Sequence, residues 1–427
     1  MRLLLSLLIA LTCSCLGSVA HAQTGCGSAV SVDGGTLKVA SVSGDDSGNI
    51  QCALDAAADE GYGTVLLTSS TYEIADHIYV DAFTGELKGV SKANTLLQVQ
   101  NGYLACDSGE SGVLEFSNGF GVVVKNMTIE VDSPCVSSST TAVISFITDP
   151  ANCAQTTTFG NVDRVTIRGQ GTNASDFMYG VSAFRAQNCS SAMLGTLKVN
   201  RSDFESLDLG VYSQIHGSGQ VDINFNSFTG VGISIYITSA AQSTTILRNT
   251  INYNDVDGYG GDFFGRYGIY IISEGSTPTS NSTTIKGNTF NNLLANSFGL
   301  GIAEEQLDVP VNHELVITGN RFNGATGGQG NDNGSGIALA GTSNAIISRN
   351  IFTGGTREWI YVKSSSGRAQ VSGISILSNS FGQSTADIEM QLLDTSNSIV
   401  GPGQGNPGYF TTGSNNTFLD GTPQAAP

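Results

Sequence analysis

Cationic side chains are scarce in this sequence. Among 427 residues there are 18 Lys and Arg against 36 Asp and Glu, and charged residues make up only 13% of the chain. Nucleic-acid affinity rests on clustered Lys and Arg that neutralise phosphates, so this composition argues against a nucleic-acid partner. Long apolar runs are lacking too. Past the N-terminus no stretch approaches the roughly 20 residues that a membrane helix needs. No C-x-x-C spacing occurs, and the only histidines beyond residue 22 are His77, His216 and His313, which argues against a zinc site. Tryptophan occurs once, as Trp359.

Glycine is abundant, at 54 residues, and with so few charges the surface must be built from Ser, Thr, Asn and Gln. That suits a hydroxyl-rich partner such as a glycan, and it equally suits any long β-solenoid. Residues 1–22 carry Arg2, the apolar run Leu3 to Leu11 and Ala20-His21-Ala22 ahead of Gln23. This pattern is a secretory signal peptide and predicts a secreted or periplasmic protein. Its removal takes away Arg2, so the net charge of −18 becomes −19. Cys26, Cys52, Cys106, Cys135, Cys153 and Cys189 remain. An even set of cysteines in an exported chain predicts disulfides, with the pairing left open.

A repeat organises the rest of the chain. Gly232 to Ile237 alternates apolar and other residues with period two, the mark of a pleated strand. A polar turn leads to Ile246, Asn249 and Ile251, and this spacing returns as Ile223/Asn226/Phe228, Ile285/Asn288/Phe290, Ile317/Asn320/Phe322, Ile347/Asn350/Phe352 and Ile376/Asn379/Phe381. The asparagines lie 23, 39, 32, 30 and 29 residues apart. Constant spacing inside a rung with variable distance between rungs is what stacked coils with one variable loop each would give. The Asn is expected at a corner, where it tolerates a left-handed backbone and its amide can bond the next coil, with the phenylalanines stacked inside. The fold expected is an all-β, single right-handed parallel β-helix of about a dozen coils. Its parts are a cap and first strands over 23–75, coils over 76–400, and a C-terminal cover and loose tail over 401–427.

Residues 49–60 are rich in helix formers with apolar residues at helical spacing, and Gly61-Tyr62-Gly63 ends them. A helix there would shield the first coil from edge-to-edge pairing. The run DDSGNIQCALDAAADEGYGTVLLTSSTYEI, residues 45–74, resembles the entry segment of the pectate-lyase-like superfamily of right-handed parallel β-helices, with Ser70 where that family usually has Gly. The resemblance implies the fold. It leaves the activity open among polysaccharide lyases, hydrolases, epimerases, tailspikes and adhesins.

Placing the aliphatic residues of each first strand inside puts their neighbours outside. The outward column then holds Tyr212, Gln214 and His216, then Ser234, Tyr236 and Thr238, then Tyr270. It continues with Gly301 and Ala303, Ala338 and Ala340, and Trp359, Tyr361 and Lys363. Coils stack about 4.8 Å apart, so Tyr212, Tyr236, Tyr270, Trp359 and Tyr361 would form a track suited to the faces of sugar rings, with a depression at the small residues. The insertion 252–267 brings Asp255, Asp257, Asp262 and Arg266 to the edge of that track. Asp255-x-Asp257-Gly258 has the flavour of a calcium loop, although Tyr253 and Phe264 stand at its first and closing positions.

A uronate lyase needs a base and a way to neutralise a carboxylate, for which Lys363, His216 and Arg266 are available. A hydrolase needs two opposed carboxylates, and Glu274, Glu304, Glu305 and Asp262 lie near the column without an Asp-Asp pair or G-H-G signature. The segment Glu358 to Ser364, EWIYVKS, is similar to the E-I-I-x-x-K-S segment of the chondroitinase B and alginate lyase family. That similarity implies Lys363 as the proton-abstracting base and Glu358 as a ligand of Ca²⁺. The expectation is an exported protein acting on or binding a polysaccharide, uronate lyase-like, with a non-catalytic glycan-binding surface or a purely structural solenoid as the alternatives.

Overall fold

In the computed structural model the chain winds as a single parallel β-helix. It describes residues 25–100 and, between 112 and 418, the strands with their tight corners. Residues 1–24, Cys106, Cys135, Cys153, Cys189 and most positions past 400 lie outside the described residues. The helix α1, Ser47–Glu60, covers one end and stops at Gly61, which adopts a left-handed backbone. Ile50, Ala53, Leu54 and Ala57 are its buried side. Cys26 and Cys52 form a disulfide that ties the segment before the first strands to this helix. Tyr72, fully buried, donates its hydroxyl to Val39 O beneath the cap.

Each coil contributes to three faces, and on each face apolar side chains line up inward in columns. On the first face the column runs in register from Leu37 through Val65, Leu87, Val124, Val162 and Val199 to Ile223, Ile246, Ile285, Ile317, Ile347 and Ile376. Every one of these is fully buried. On the second face the column passes Phe204, Phe228, Ile251, Phe290, Phe322 and Phe352. The third face is built on Val211, Ile235, Ile269, Ile302, Ile337 and Ile360. β-Branched and aromatic residues dominate because they fit a pleated, buried surface and lose little freedom there.

The corner between the first and second faces is locked by asparagines. Asn226, Asn249, Asn288, Asn320, Asn350 and Asn379 form one ladder and are at most 2% exposed. Asn249 shows the pattern. Its backbone N–H donates to Asn288 Oδ1 at 2.8 Å, while its Nδ2 donates to the same oxygen at 3.0 Å and to Ile223 O at 2.8 Å. The same contacts recur at Asn226, Asn288, Asn320 and Asn350. Within the run each amide oxygen accepts two bonds and each amide nitrogen donates two, so the buried amides are saturated. Towards the N-terminus the ladder shrinks to Ser202, whose Oγ accepts from Val165 N and whose N–H donates to Asn226 Oδ1.

One expected detail is corrected. The left-handed residue at this corner is the one before the asparagine: Phe225, Arg248, Gly287, Gly319, Arg349 and Ser378 have φ between 55° and 67°. Turning the chain one residue earlier swings the amide inward and points its N–H along the helix axis, which the ladder requires.

The phenylalanine stack is paired with a glycine column on the facing strands. Phe290 and Phe322 stack at 4.6 Å and 2°, Phe322 and Phe352 at 4.8 Å and 12°. A Cβ on Gly180, Gly210, Gly268, Gly301 or Gly336 would lie within 2.7 to 2.9 Å of the ring of Phe204, Phe228, Phe290, Phe322 or Phe352 respectively. The one interruption is compensated. Ser234 takes the glycine position in the coil that faces Ile251, where the rung carries a smaller side chain than Phe.

Both packing devices predict stability changes. Asn288→Ala removes the acceptor of the Asn249 N–H and of one Asn249 Nδ2 hydrogen and one donor each from Ile246 O and Asn320 Oδ1, while the backbone N–H of residue 288 still reaches Asn320 Oδ1; at about 1–3 kcal/mol per buried unsatisfied donor the cost should reach at least about 2 kcal/mol in a denaturant titration. Gly336→Ser should lose about 1–3 kcal/mol by overpacking Phe352, and Phe352→Ile in the same chain should recover part of it. Additive losses in that double variant would refute the glycine–ring pairing.

Candidate functional site

The third face differs from the other two in what borders it. The long connections 101–111, 132–140, 170–177, 254–265 and 325–335 enter it from the second face, and 149–156, 186–193, 274–280 and 364–372 leave it for the first. At the ladder corner a single left-handed residue makes the turn. Binding and catalytic groups concentrate where variable loops border a rigid floor, which makes the third face the candidate.

That floor carries tyrosines. Tyr212, Tyr236 and Tyr270 occupy one outward register column on consecutive coils and are partly exposed. Their rings pack at 5.3 Å and 28°, then 5.2 Å and 7°, and Tyr267 stacks on Tyr270 at 4.6 Å and 13°. Tyr179 closes the row edge-on against Tyr212 at 5.4 Å. In-register parallel strands bring like side chains to a spacing close to that of aromatic stacking, so the tyrosines cover one another's faces. The row therefore presents ring edges and hydroxyls to the outside, in place of the open ring faces expected from the sequence. Gln214 donates to the Tyr212 hydroxyl. Burial, with the nearby Glu305 carboxylate adding to it, raises the Tyr267 pKa and keeps that phenol protonated.

Beyond Tyr270 the column continues through Ala303 and Ala338 to Tyr361. The small side chains fall where a depression was expected, but the far wall differs. Tyr361 is only 4% exposed, and Trp359 is fully buried with its ring 5.2 Å from Phe352. Strict alternation fails one step ahead of each aliphatic residue of this face, where Ser234, Gly268, Gly301, Gly336 and Trp359 turn inward over the phenylalanine stack. Trp359 is thus the last member of the glycine column and belongs to the core, and neither Ser234 nor Gly301 faces outward.

Other expected site residues are placed only by backbone or not at all. Glu358 and Lys363 begin and end one strand of this face, with Lys363 in register with Ala340 and, one coil back, Glu305. Arg266 opens the strand of Tyr270. The side chains of these three, and His216, Asp255, Asp257, Asp262 and Glu274 entirely, lie outside the described residues. Two aromatic members were missed. Tyr179 and Tyr267 each precede a glycine and a β-branched residue, Tyr179-Gly180-Val181 and Tyr267-Gly268-Ile269, the same local signature as Leu209-Gly210-Val211.

No family model matches the sequence, and no curated protein matches it either. Among solved structures the chain is similar to the A-module of a mannuronan C-5 epimerase, AlgE6, of Azotobacter vinelandii, at 15% identity over 90% of this chain and 96% of that one, with a TM-score of 0.47. It is also similar to PfbA, a surface adhesin of Streptococcus pneumoniae, at 12% identity over 89% and 97%, with a TM-score of 0.49. A lacto-N-biosidase from Eubacterium ramulus matches at 11% identity over 86% and 64%, with a TM-score of 0.49. Identities this low transfer no activity from one chain to another.

The stacking sets an expectation for the row. Tyr236→Ala loses a ring contact on each side, at about 0.5–1.5 kcal/mol each, and should lower stability by about 1–3 kcal/mol, whereas Tyr236→Phe should leave it within about 0.5 kcal/mol. Thermal or denaturant unfolding of the two variants measures this. An Ala variant as stable as the parent would mean that the rings do not support one another.

Proposed function

We propose that this is an exported protein whose third face binds a polysaccharide laid along the tyrosine row, and that the chain acts on that polymer as a uronate lyase does. The observation that carries the binding half is the partly exposed, in-register row Tyr212, Tyr236 and Tyr270 on the face that the long connections border. Its phenols offer hydroxyls that both donate and accept, the chemistry that pairs with sugar hydroxyls. Export is supported by the leader pattern of residues 1–22 and by the Cys26–Cys52 disulfide, a bond that persists in oxidising compartments. Among the described residues no helix is long and apolar enough to cross a membrane.

The lyase half rests on the likeness of residues 358–364 to the chondroitinase B and alginate lyase segment. In this reading Lys363 removes the proton on the carbon next to the uronate carboxylate. By the same likeness Glu358 would ligate a Ca²⁺ whose charge offsets that carboxylate; Asp255, Asp257 and Asp262 would offer the oxygen ligands of a calcium loop at the edge of the row, and His216 and Arg266 would assist. Elimination would then form the carbon–carbon double bond as the glycosidic C–O bond breaks, and the departing oxygen would take a proton from the protonated base or from solvent, leaving an unsaturated sugar. The rival is a non-catalytic glycan-binding surface. It is favoured by one observation: among the described residues the row from Tyr212 to Tyr270 carries phenols and no carboxylate or imidazole.

The test is a panel of uronate polymers, with and without Ca²⁺. Ultraviolet absorbance of the unsaturated product reports elimination, and affinity electrophoresis reports binding. Tyr270→Phe and Tyr236→Phe should each weaken binding by about 0.5–1.5 kcal/mol, a two- to tenfold loss, because each deletes a hydrogen-bonding hydroxyl and keeps the stack. Lys363→Ala should abolish product while binding persists. No product from any polymer, with binding retained, selects the adhesive reading. Equal binding by both tyrosine variants and the parent places the glycan site off this row.

A further inference from the structure

The motif Asn-x-Ser/Thr, with x other than Pro, is the acceptor of N-linked sugars in exported chains, where the bulky glycan must end on the surface. Among the described residues it falls at Asn126-Met127-Thr128, Asn200-Arg201-Ser202 and Asn281-Ser282-Thr283. The fold treats the three differently. Asn281 is 5% exposed, so its amide has no room for a sugar. Asn200 stands on the strand floor of the first face, with Asp163 and Asn224 in register on either side. Arg201 Nε reaches across beside it and donates to Asp163 Oδ1 at 2.8 Å.

Asn126 stands at the corner between the first and second faces, with φ at 59°. Register carries the same corner position on to Arg164, Arg201 and Phe225 on the next three coils. The side chains of Arg164 and Arg201 are 48% and 57% exposed, and Phe225 is 52% exposed. The left-handed turn therefore aims this side chain outward, and Asn is one of the few residues besides Gly that tolerate it. Asn126 is itself partly exposed, and its amide makes no hydrogen bond among the described residues. The ladder asparagines, by contrast, have spent theirs. One coil back the corner is Gly89, where a Cβ would lie 2.4 Å from Asn126 O, and the residue after it, Val90, is 55% exposed. That uncovered valine gives the first sugar on Asn126 an apolar surface to lie against.

We infer that Asn126 carries an N-linked glycan. The co-substrate is an oligosaccharide joined through a diphosphate to a lipid carrier. Asn126 Nδ2 forms a bond to the anomeric carbon of the first sugar as the bond from that carbon to the diphosphate oxygen breaks. One amide proton is released and the lipid diphosphate departs. Transfer acts on the extended chain, and the fold then decides whether the product is tolerated. Asn126 belongs to neither the asparagine ladder nor an inward column, so the sugar displaces no core contact. It projects from the ladder corner and leaves the tyrosine row of the third face uncovered. The inference rests on the export half of the reading above and is independent of the ligand.

The experiment secretes residues 23–427 from a eukaryotic host behind a leader of established function, so that the outcome does not depend on the leader pattern of residues 1–22. The purified protein is treated with peptide:N-glycosidase in heavy-oxygen water, which turns a glycosylated Asn into a labelled Asp, and its peptides are read by mass spectrometry. The peptide of Asn126 should be labelled and that of Asn281 unlabelled. Asn126→Gly, which keeps the left-handed turn, and Thr128→Ala should each abolish the label, whereas Thr128→Ser should retain it, with circular dichroism confirming the fold. An unlabelled Asn126 in the secreted, folded parent overturns the proposal without needing any variant. So does a label at Asn200 or Asn281 in place of Asn126, or one at Asn126 that survives Thr128→Ala. No polysaccharide ligand enters these readouts, so the result stands apart from the fate of the binding and lyase readings.

Discussion

The asparagine ladder is the interaction on which the rest of this structure depends. A stack of coils can in principle slip, because one residue of register shift in any strand would turn a whole inward column out. The ladder forbids slippage at one corner by giving each Asn a partner in the coil before, Ile223 O for Asn249, and another in the coil after, Asn288 Oδ1. Every amide is fully buried, so a slipped coil would leave several polar groups unsatisfied in a low-dielectric interior, at a cost far above the loss of any single apolar contact. Register elsewhere is inherited from this corner.

What the fixed register produces is stacking of like on like. Where a coil step repeats phenylalanine inside the second face, the rings stack at 4.6 to 4.8 Å; where it repeats tyrosine outside the third, they stack at 5.2 to 5.3 Å. The interior stack is too thick for the facing strands to carry side chains, hence the glycines at 210, 268, 301 and 336 and the exchange of size between Ser234 and Ile251. A second, outward run of amides, Asn252, Asn291 and Asn323, forms a hydrogen-bonded file between Thr229 and Thr353 on the second face. Polar files of this kind spend their hydrogen-bonding capacity on one another.

How much of this was legible in the sequence depends on whether a feature repeats. The Ile, Asn and Phe columns repeat with fixed spacing and were readable, as was α1 with its glycine stop. Tyr212, Tyr236 and Tyr270 were readable because a parallel sheet places in-phase residues side by side. Trp359 was not, because the period-two rule that sorts inside from outside breaks at that position in each coil, and the break is visible only as an x-Gly-β-branched signature that Trp359 itself does not carry. The buried ion pair of His77 with Glu115 was invisible for a different reason. They lie 38 residues apart, His77 just ahead of one strand and Glu115 on its neighbour, and belong to no repeat, so only the register of Ile78 with Leu114 brings them together. The charged candidates of the insertion 252–267 answer to loop conformation, on which periodicity is silent.

The same ladder explains why the long connections gather around the third face. A corner held by interlocked amides has no room for insertions, since an added residue would break bonds to the coils on both sides, and the turn there stays one left-handed residue long from Phe225 to Ser378. The two corners flanking the third face carry no such file among the described residues, so connections of any length can be accepted at slowly growing entropic cost. Rigidity and variability are thus separated on opposite sides of one cross-section: the locked corner sets the spacing of the tyrosine floor, and the corners without a ladder admit connections of varied length along its edges.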